Sequence, residues 1–205
     1  HFHYDHTCGL PFFRPAFTTG YKFSIRSGIL TTREKTKKVL QKQISSPSFP
    51  ITIDEFLADV EYNSFKVKKD FYIGKEIKIK TILLNHPDGA VGYRVENKNK
   101  SICYITDHEH DLKRQNKELM NFVKDADALI YDCTYDDEDF KNYIGWGHST
   151  WQEAVRMAQK SNVKKLFVYH HNPENNDNEM KNIESKCAKI NKDYLVAREG
   201  KTFTI

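Results

Sequence analysis

The 205-residue chain predicts an α/β fold, because strand-like and helix-like patterns follow one another in a definite order. Alternating and apolar runs typical of strands dominate residues 59–106. Between residues 111 and 205, helical patterns alternate with short apolar runs, as expected for helices layered on a sheet. The length suffices for one core of ordinary size, so residues 1–205 are expected to form a single domain.

The first fifty residues predict mostly short elements. The expected elements are a helix over residues 8–13, a strand over 21–25, a helix over 31–43 and a loop over 45–50. Pro11 suits the first turn of the first helix, since its missing N–H has no partner there in any case. Either Thr31 or Thr32 can cap the second helix, which is rich in lysine. The loop is assigned from its serines and prolines.

The rest of the chain predicts a sheet followed by helix–strand pairs. Strands are expected over residues 59–67, 70–73, 76–84, 90–96 and 101–106, with a hairpin turn at 97–100. These are followed by a helix over 111–124, a strand over 127–132, a helix from 149, a strand over 164–169, a helix over 177–190 and strands over 194–197 and 201–205. Ser149 and Gln152 fit a capping box at the start of their helix.

Composition restricts the compartment and the partners. With 29% charged residues, the chain has no apolar stretch near the roughly 20 residues that a membrane helix needs. The net charge of +4 agrees with an anionic substrate but does not by itself predict nucleic-acid binding. The four cysteines are scattered without a Cys-x-x-Cys pair, which favours free thiols and a reducing compartment, the cytoplasm.

The first six residues, His1-Phe2-His3-Tyr4-Asp5-His6, concentrate potential metal ligands. In an extended stretch, His1, His3 and Asp5 would project to one side, while His6 would reach a different point. This arrangement suits two neighbouring metal ions better than one. An affinity-tag remnant would lack the interleaved aspartate and aromatic residues.

Three later segments place further ligand types after hydrophobic runs. These segments are Asn85-His86-Pro87, Tyr104-Ile105-Thr106-Asp107 and Tyr169-His170-His171-Asn172-Pro173. Together with the first motif, and in this order, they resemble the metallo-β-lactamase superfamily over residues 1 to about 175. The resemblance implies the four-layer αββα sandwich of that superfamily. It also implies that strands which precede the first histidine in related proteins are missing from this chain.

The resemblance also implies a binuclear metal centre. The first metal would be held by His1, His3 and His86, the second by Asp5, His6 and His170, and Asp107 would bridge them. Two divalent ions, zinc by preference, with manganese or iron also compatible, would share a hydroxide formed from water. Asp5 could orient this nucleophile or take the proton that the water loses. His170 is favoured over His171 because Pro173 then falls in register with related sequences. His108 and His110 are expected to be exposed, although either could flank the site.

A second motif, Gly145-Trp146-Gly147-His148-Ser149-Thr150, carries information on the substrate. A histidine directly before a helix N-terminus can face a bound anion and protonate a departing alkoxide. Asp132 ends a strand and is expected to orient and charge that imidazole. The pair resembles the phosphodiesterase branch of the superfamily, which includes tRNase Z-type and cyclic-phosphate enzymes. Trp146 is a candidate for substrate contact.

The favoured function is a phosphodiesterase for a small cyclic or terminal phosphodiester or a nucleic-acid end, with His148 as general acid. One alternative is a thioester or lactone hydrolase that uses the same hydroxide without this acid. Another is tRNA 3′-processing, although residues 26–50 lack the Gly-rich arm of those enzymes. A non-catalytic member with a decayed site is the third. Members of this type are often dimers, but no residue of the chain tests this.

Overall fold

A seven-stranded sheet occupies the C-terminal part of the chain, and a smaller two-stranded sheet lies in the N-terminal part. A computed structural model describes residues 1–205. It divides into two compact units, His1–Val67 and Lys68–Ile205, each of which has its own buried cluster. The α/β class predicted from the sequence is confirmed. The prediction that residues 1–205 form a single domain stays a prediction.

The first unit combines a parallel strand pair with one long helix. Its elements are the single-turn helix α1 (Tyr4–Thr7), strand β1 (Lys22–Ser27), helix α2 (Arg33–Gln43) and strand β2 (Asp59–Ser64). The side chain of Thr32 accepts a hydrogen bond from the N–H of Lys35 and so caps α2. Leu40 of α2 packs with Tyr62 of β2 in the buried cluster of this unit.

The second unit is a mixed sheet with helices in its later connections. Its strands are β3 (Phe71–Ile73), β4 (Ile77–Leu84), β5 (Ala90–Asn97), β6 (Lys100–Ile105), β7 (Ala128–Asp132), β8 (Lys165–Tyr169) and β9 (Tyr194–Val196). Its helices are α3 (Lys117–Val123), α4 (Trp151–Lys160) and α5 (Asp177–Ile190). The strands follow one another across the sheet in chain order, antiparallel from β3 to β6 and parallel from β6 to β9.

The three helices cover the parallel half of the sheet because each connects two of its parallel strands. α4 turns an apolar face inward, with Ala154, Val155 and Ala158 buried. These residues belong to the large buried cluster, which also contains Leu129 of β7 and Leu166 of β8, both fully buried. This core holds the ends of β7 and β8 in place, and two of the predicted site residues lie there.

Several predicted elements differ from the structure. In place of a helix over 8–13 there are 3-10 turns at Leu10–Phe12 and Arg14–Phe17, and residues 201–205 form no strand. The predicted helix over 111–124 covers only Lys117–Val123, because the side chain of Asn116 accepts a hydrogen bond from the N–H of Leu119 and caps the helix there. The C-terminal residues alternate in pattern, but no neighbouring strand pairs with them.

The capping box predicted at Ser149 and Gln152 is also wrong. Thr150 has the extended N-cap conformation, and its hydroxyl accepts from the N–H of Glu153. The hydroxyl of Ser149 bonds His110 Nδ1 instead, at 2.8 Å. Gln152 accepts from the N–H of Asp137. Adjacent serine and threonine residues offer two registers for the cap, and the tertiary contacts of Ser149 select the second.

Candidate active site

The strands of the second unit bring four predicted site residues to one edge of the sheet. β4, β6, β7 and β8 run in the same direction, since β4 and β6 are both antiparallel to β5 and the later strands are parallel. Their carboxyl ends therefore share an edge, the usual location of ligand sites in such sheets. His86 and Asp107 come two residues after β4 and β6, Asp132 ends β7, and His170 follows β8 directly.

Asp107 and His170 lie close together, and both have backbones in the left-handed region. Their φ angles are +59° and +57°. Such backbones are uncommon outside glycine, and they concentrate at functional sites. His170 Nε2 lies 3.5 Å from Asp107 Oδ1, and Asp107 is only 2% exposed. The strand-to-loop turns thus direct a carboxylate and an imidazole toward each other at the sheet edge.

A backbone contact fixes the orientation of the His86 ring. His86 Nδ1 lies 2.9 Å from the carbonyl oxygen of Gly147, so Nδ1–H is the donor and Nε2 carries the lone pair. Histidines that bind metals usually donate their second nitrogen in this way. Gly147 has φ +88°, and a Cβ at this position would come within 2.5 Å of Pro87 Cδ and still closer to the His86 ring. Only glycine allows this approach.

Asp132 lies at the centre of the hydrogen-bond network and is fully buried. Its Oδ2 accepts from the N–H of Asp107 at 2.8 Å and faces His148 Nδ1 at 2.9 Å. Its Oδ1 accepts from the N–H of Ser149 at 3.0 Å and from Thr134. One carboxylate therefore connects the end of β6, the end of β7 and the residues that precede α4.

The same network distinguishes the two adjacent histidines at the end of β8. The Thr134 hydroxyl donates to the carbonyl oxygen of His170 at 2.8 Å and lies 3.1 Å from His170 Nδ1. His170 Nδ1–H can donate to this oxygen, which leaves Nε2 directed at Asp107. Both ring nitrogens of His171 are buried, and burial is the main cause that lowers the pKa of its imidazole. Only His170 faces the predicted ligand set of this unit.

Nitrogen and carboxylate donors at this edge are close enough to hold a metal ion. Ligand atoms of His86, Asp107 and His148 lie within 4.8 Å of one another, as do those of Asp132, His148 and His170. Imidazole and carboxylate donors suit zinc, and the backbone bond to His86 is the outer contact that such ligands usually have. The residues therefore fit a metal ion, and His148 stands close enough to act either as a ligand or as an acid beside the metal.

The N-terminal motif forms a histidine cluster within its own unit. The ring of His1 lies 4.3 Å from that of His3 and 4.4 Å from that of His6, measured between centroids. His6 Nε2 lies 3.2 Å from Asp5 Oδ2. The extended conformation predicted through Asp5 is wrong, because α1 begins at Tyr4. With no partner strand, residues 4–7 satisfy their backbone groups by helical turns instead.

Comparison with known proteins decides the family. Residues 1–171 match the family described as a beta-lactamase superfamily domain, which is most of the chain. The chain belongs to this superfamily. The match confirms the predicted superfamily, its fold class and the predicted kind of enzyme, a metal-dependent hydrolase.

The relatives of this chain include ribonuclease Z of Picrophilus torridus. The two sequences are 26% identical over 244 aligned residues, which cover 100% of this chain and 77% of the relative. Six other ribonuclease Z relatives match over short segments, which span between 19% and 31% of their lengths. Two solved structures share the fold across the whole chain. The metallo-beta-lactamase fold protein YhfI of Bacillus subtilis has a TM-score of 0.70 at 16% identity, with 75% of that chain covered. A diphosphatase of the PhnP family has a TM-score of 0.68 at 20% identity, with 69% covered.

His108 and His110, for which the sequence favours exposure over a position flanking the site, are instead buried. His108 is 2% exposed and accepts from the N–H of Asn85 at Nδ1, and burial lowers its pKa to about 4. His110 is 8% exposed, stacks on Phe140 at 4.1 Å, and burial lowers its pKa as well. Both are therefore neutral at pH 7. Their predicted exposure is wrong because the loop after β6 is bonded to Asn85, directly after β4, whose carbonyl oxygen accepts from the N–H of Glu109.

Sequence reasoning missed Glu109. Its Oε2 accepts hydrogen bonds from the N–H of Gly145 at 2.7 Å and from that of Gly147 at 2.9 Å. One carboxylate thus holds both glycines of the loop that precedes His148. No local pattern indicates this role, since Glu109 lies 36 positions before Gly145 and 38 positions before Gly147.

None of the helices in the structure has the length and apolar character needed to cross a membrane.

Proposed function

We propose that this superfamily member is a phosphodiesterase in which His148 is the general acid and two divalent metal ions are the cofactors. The observation that carries the proposal is the pairing of His148 Nδ1 with the fully buried carboxylate of Asp132, at 2.9 Å. A hydrolase that cleaves an ester with a good leaving group does not need such a pair. A phosphodiesterase that expels an alkoxide does.

The proposed metal ligands are those that the sequence predicts: His1, His3, Asp5, His6, His86, Asp107 and His170. Support for the proposal comes from each unit separately. Within the second unit, His170 faces Asp107. The tautomer of His86 places the lone pair that would bind the metal on Nε2. Within the first unit, the imidazoles of His3 and His6 both lie against that of His1. Zinc is the proposed metal because the set consists of imidazoles and carboxylates.

The bound metals would lower the pKa of a water molecule and neutralise charge on the phosphoryl oxygens. The protein groups do the rest of the work. Asp5 is proposed to orient the attacking water or take its proton. As the bond from phosphorus to the leaving oxygen breaks, His148 gives its Nε2 proton to that oxygen. Asp132 holds Nδ1–H and supplies the negative charge that stabilises the imidazolium before the transfer.

The decisive test uses His148→Ala with two phosphodiesters and a measurement of bound metal. With a dinucleotide, whose leaving group is an alkyl alcohol, turnover should fall about 10²- to 10⁴-fold, the usual contribution of a general acid. With bis(p-nitrophenyl) phosphate the loss should be smaller, since nitrophenolate leaves without a proton. Elemental analysis should still find two metals per chain. Loss of metal from the variant would instead make His148 a ligand and sink its role as the acid.

Thioester or lactone hydrolysis remains the second enzyme activity to test. Such turnover would survive His148→Ala, whereas phosphodiester turnover would not. Wild-type protein that holds two metals and cleaves only esters or lactones would overturn the proposed function. Less than stoichiometric metal would favour the non-catalytic alternative.

A third candidate is tRNA 3′-processing, favoured by the relative named ribonuclease Z that aligns with the whole chain. Cleavage of a precursor tRNA at its 3′ end, compared with cleavage of dinucleotides, would separate this activity from that of a small-substrate enzyme. A cytoplasmic location is proposed because all four cysteines are free, three of them buried. A homodimer stays a prediction.

A further inference from the structure

Trp146 is exposed to solvent on a loop with a fixed conformation. Its exposed fraction is 62%, whereas the other tryptophan of the chain, Trp151, is 7% exposed and donates its indole N–H to Asp136. Tryptophan carries a large apolar surface, which proteins usually bury or use in binding. On a mobile loop, an exposed tryptophan needs no functional explanation. The loop that carries Trp146 is instead fixed by several hydrogen bonds.

Hydrogen bonds on both sides of Trp146 hold its backbone. Glu109 Oε2 accepts from Gly145 N–H and Gly147 N–H, and the carbonyl oxygen of Gly147 lies 2.9 Å from His86 Nδ1. The N–H of Trp146 itself donates to the carbonyl oxygen of Tyr143 at 3.1 Å. Gly145 and Gly147 have φ angles of +92° and +88°, which glycine adopts without strain. The loop is therefore built to present its side chain outward.

Aromatic contacts connect Trp146 to His148. The Trp146 ring meets the edge of Tyr143 at 5.7 Å, and Tyr143 stacks on Tyr135 at 4.1 Å. The ring of Tyr135 in turn lies 6.2 Å from that of His148. The exposed indole thus stands at the outer end of an aromatic row whose inner end is the proposed acid. A planar group attached to the scissile phosphate is the ligand that such a surface accommodates.

We propose that Trp146 is a stacking platform for the nucleobase next to the scissile phosphate, so that the substrate is a nucleoside phosphodiester. Glu109 acts as the positioning residue of this platform, because its carboxylate holds the glycines on both sides of the indole. Since stacking reads the face of a base and not its edge, the platform accepts any base. The proposal rests on the proposed phosphodiesterase activity but can be tested separately from it.

The kinetic test compares two substrates that differ only in the nucleoside. These are the p-nitrophenyl ester of thymidine 5′-phosphate and methyl p-nitrophenyl phosphate. In Trp146→Ala, the ratio of kcat/KM for the nucleoside ester to that for the methyl ester should fall about 5- to 150-fold, the range measured for base–aromatic stacking. Trp146→Phe should retain most of the ratio. Tyr72→Ala is the matched control, since Tyr72 is 57% exposed on β3 and should leave the ratio unchanged.

A binding measurement gives a readout that needs no turnover. Thymidine 5′-monophosphate should quench the tryptophan fluorescence of the wild type, whereas methyl phosphate should not. In Trp146→Phe only the buried Trp151 emits, and the quenching should disappear. Quenching that persists in this variant, or an unchanged substrate ratio in Trp146→Ala, would overturn the platform. If wild-type protein binds the nucleotide through Trp146 but cleaves neither ester, the phosphodiesterase proposal fails while the platform stands.

Discussion

Replacing Asp132 by asparagine should lower both the stability and the activity of the protein. The fully buried carboxylate accepts at Oδ2 from the N–H of Asp107 and from His148, and at Oδ1 from the N–H of Ser149 and from Thr134. Asparagine keeps one acceptor oxygen and places an NH₂ group against the other pair of donors. Whichever way the amide faces, at least two donors lose their acceptor.

The expected loss of stability follows from these two donors. A hydrogen bond to a charged group contributes about 1.5 kcal/mol at the low end of its range, so the unfolding free energy should fall by about 3 kcal/mol. For a chain of this size, 1 kcal/mol corresponds to about 2–4 °C, which predicts a Tm lower by about 6–12 °C. Turnover of a dinucleotide should fall about 10²- to 10⁴-fold, because the imidazolium of His148 loses its counter-charge.

Asp127 supplies a matched control at the opposite end of the same strand. It is 5% exposed and accepts from the N–H of Ser101 at 2.9 Å and from Lys164 Nζ at 2.8 Å. Asp127→Asn should lower the Tm and leave kcat at the wild-type value. Thermal melts, dinucleotide turnover and metal content would be measured on both variants. An Asp132→Asn enzyme that keeps its metal and more than a third of its turnover would refute the reasoning, as would equal losses in both variants.

Three further predictions address the loop, the start of α4 and the metals. Gly147→Ala should displace the His86 ring and reduce bound metal in elemental analysis, because a Cβ would collide with that ring; full metal occupancy would contradict the close approach. Burial raises the pKa of Asp137, but hydrogen bonds from Arg156 and Thr150 outweigh it and leave the pKa below its ordinary value. Since the folded pKa is the lower one, the stabilisation is complete above about pH 4 and is lost as the pH falls through the folded value. Melts at pH 7 and pH 3 should therefore show a smaller acid-induced loss for Asp137→Asn than for wild type, and equal losses would count against this role. Removing metals with a chelator should lower the unfolding free energy by about 2.7 kcal/mol for each ion whose free concentration was 100 times its Kd. A Tm that changes neither on chelation nor on addition of zinc would argue against bound metal.

The central strands were predictable because their signals are local. The runs before Asp107 and His170 are apolar and short. Both are strands, which end two residues before Asp107 and one residue before His170. Apolar runs of this length bounded by polar residues are typical of buried strands. The order of the motifs also sufficed for the superfamily, which the match over residues 1–171 confirms.

The N-terminal motif shows where local reasoning failed. Alternation of His1, His3 and Asp5 predicts an extended stretch, yet α1 begins at Tyr4. Alternation of residue types every second position favours an extended conformation, but a strand forms only where a neighbouring strand supplies hydrogen bonds. The burial of His108 depends in the same way on distant residues, since its Nδ1 accepts from Asn85, 23 positions earlier.

The sequence by itself determined which residue types are present and in what order along the chain: the histidine-rich N-terminal motif, the strand ends that bear Asp107, Asp132 and His170, and the histidine before α4. Only the tertiary structure decided their orientation. The backbones at Asp107 and His170 are left-handed, and the His86 tautomer is set by a carbonyl 61 positions away. These features depend on contacts between segments that are remote in sequence, so no local propensity specifies them. Composition and sequence pattern specify local structure, whereas the geometry of a site depends on which side chains the folded core places at one edge of the sheet.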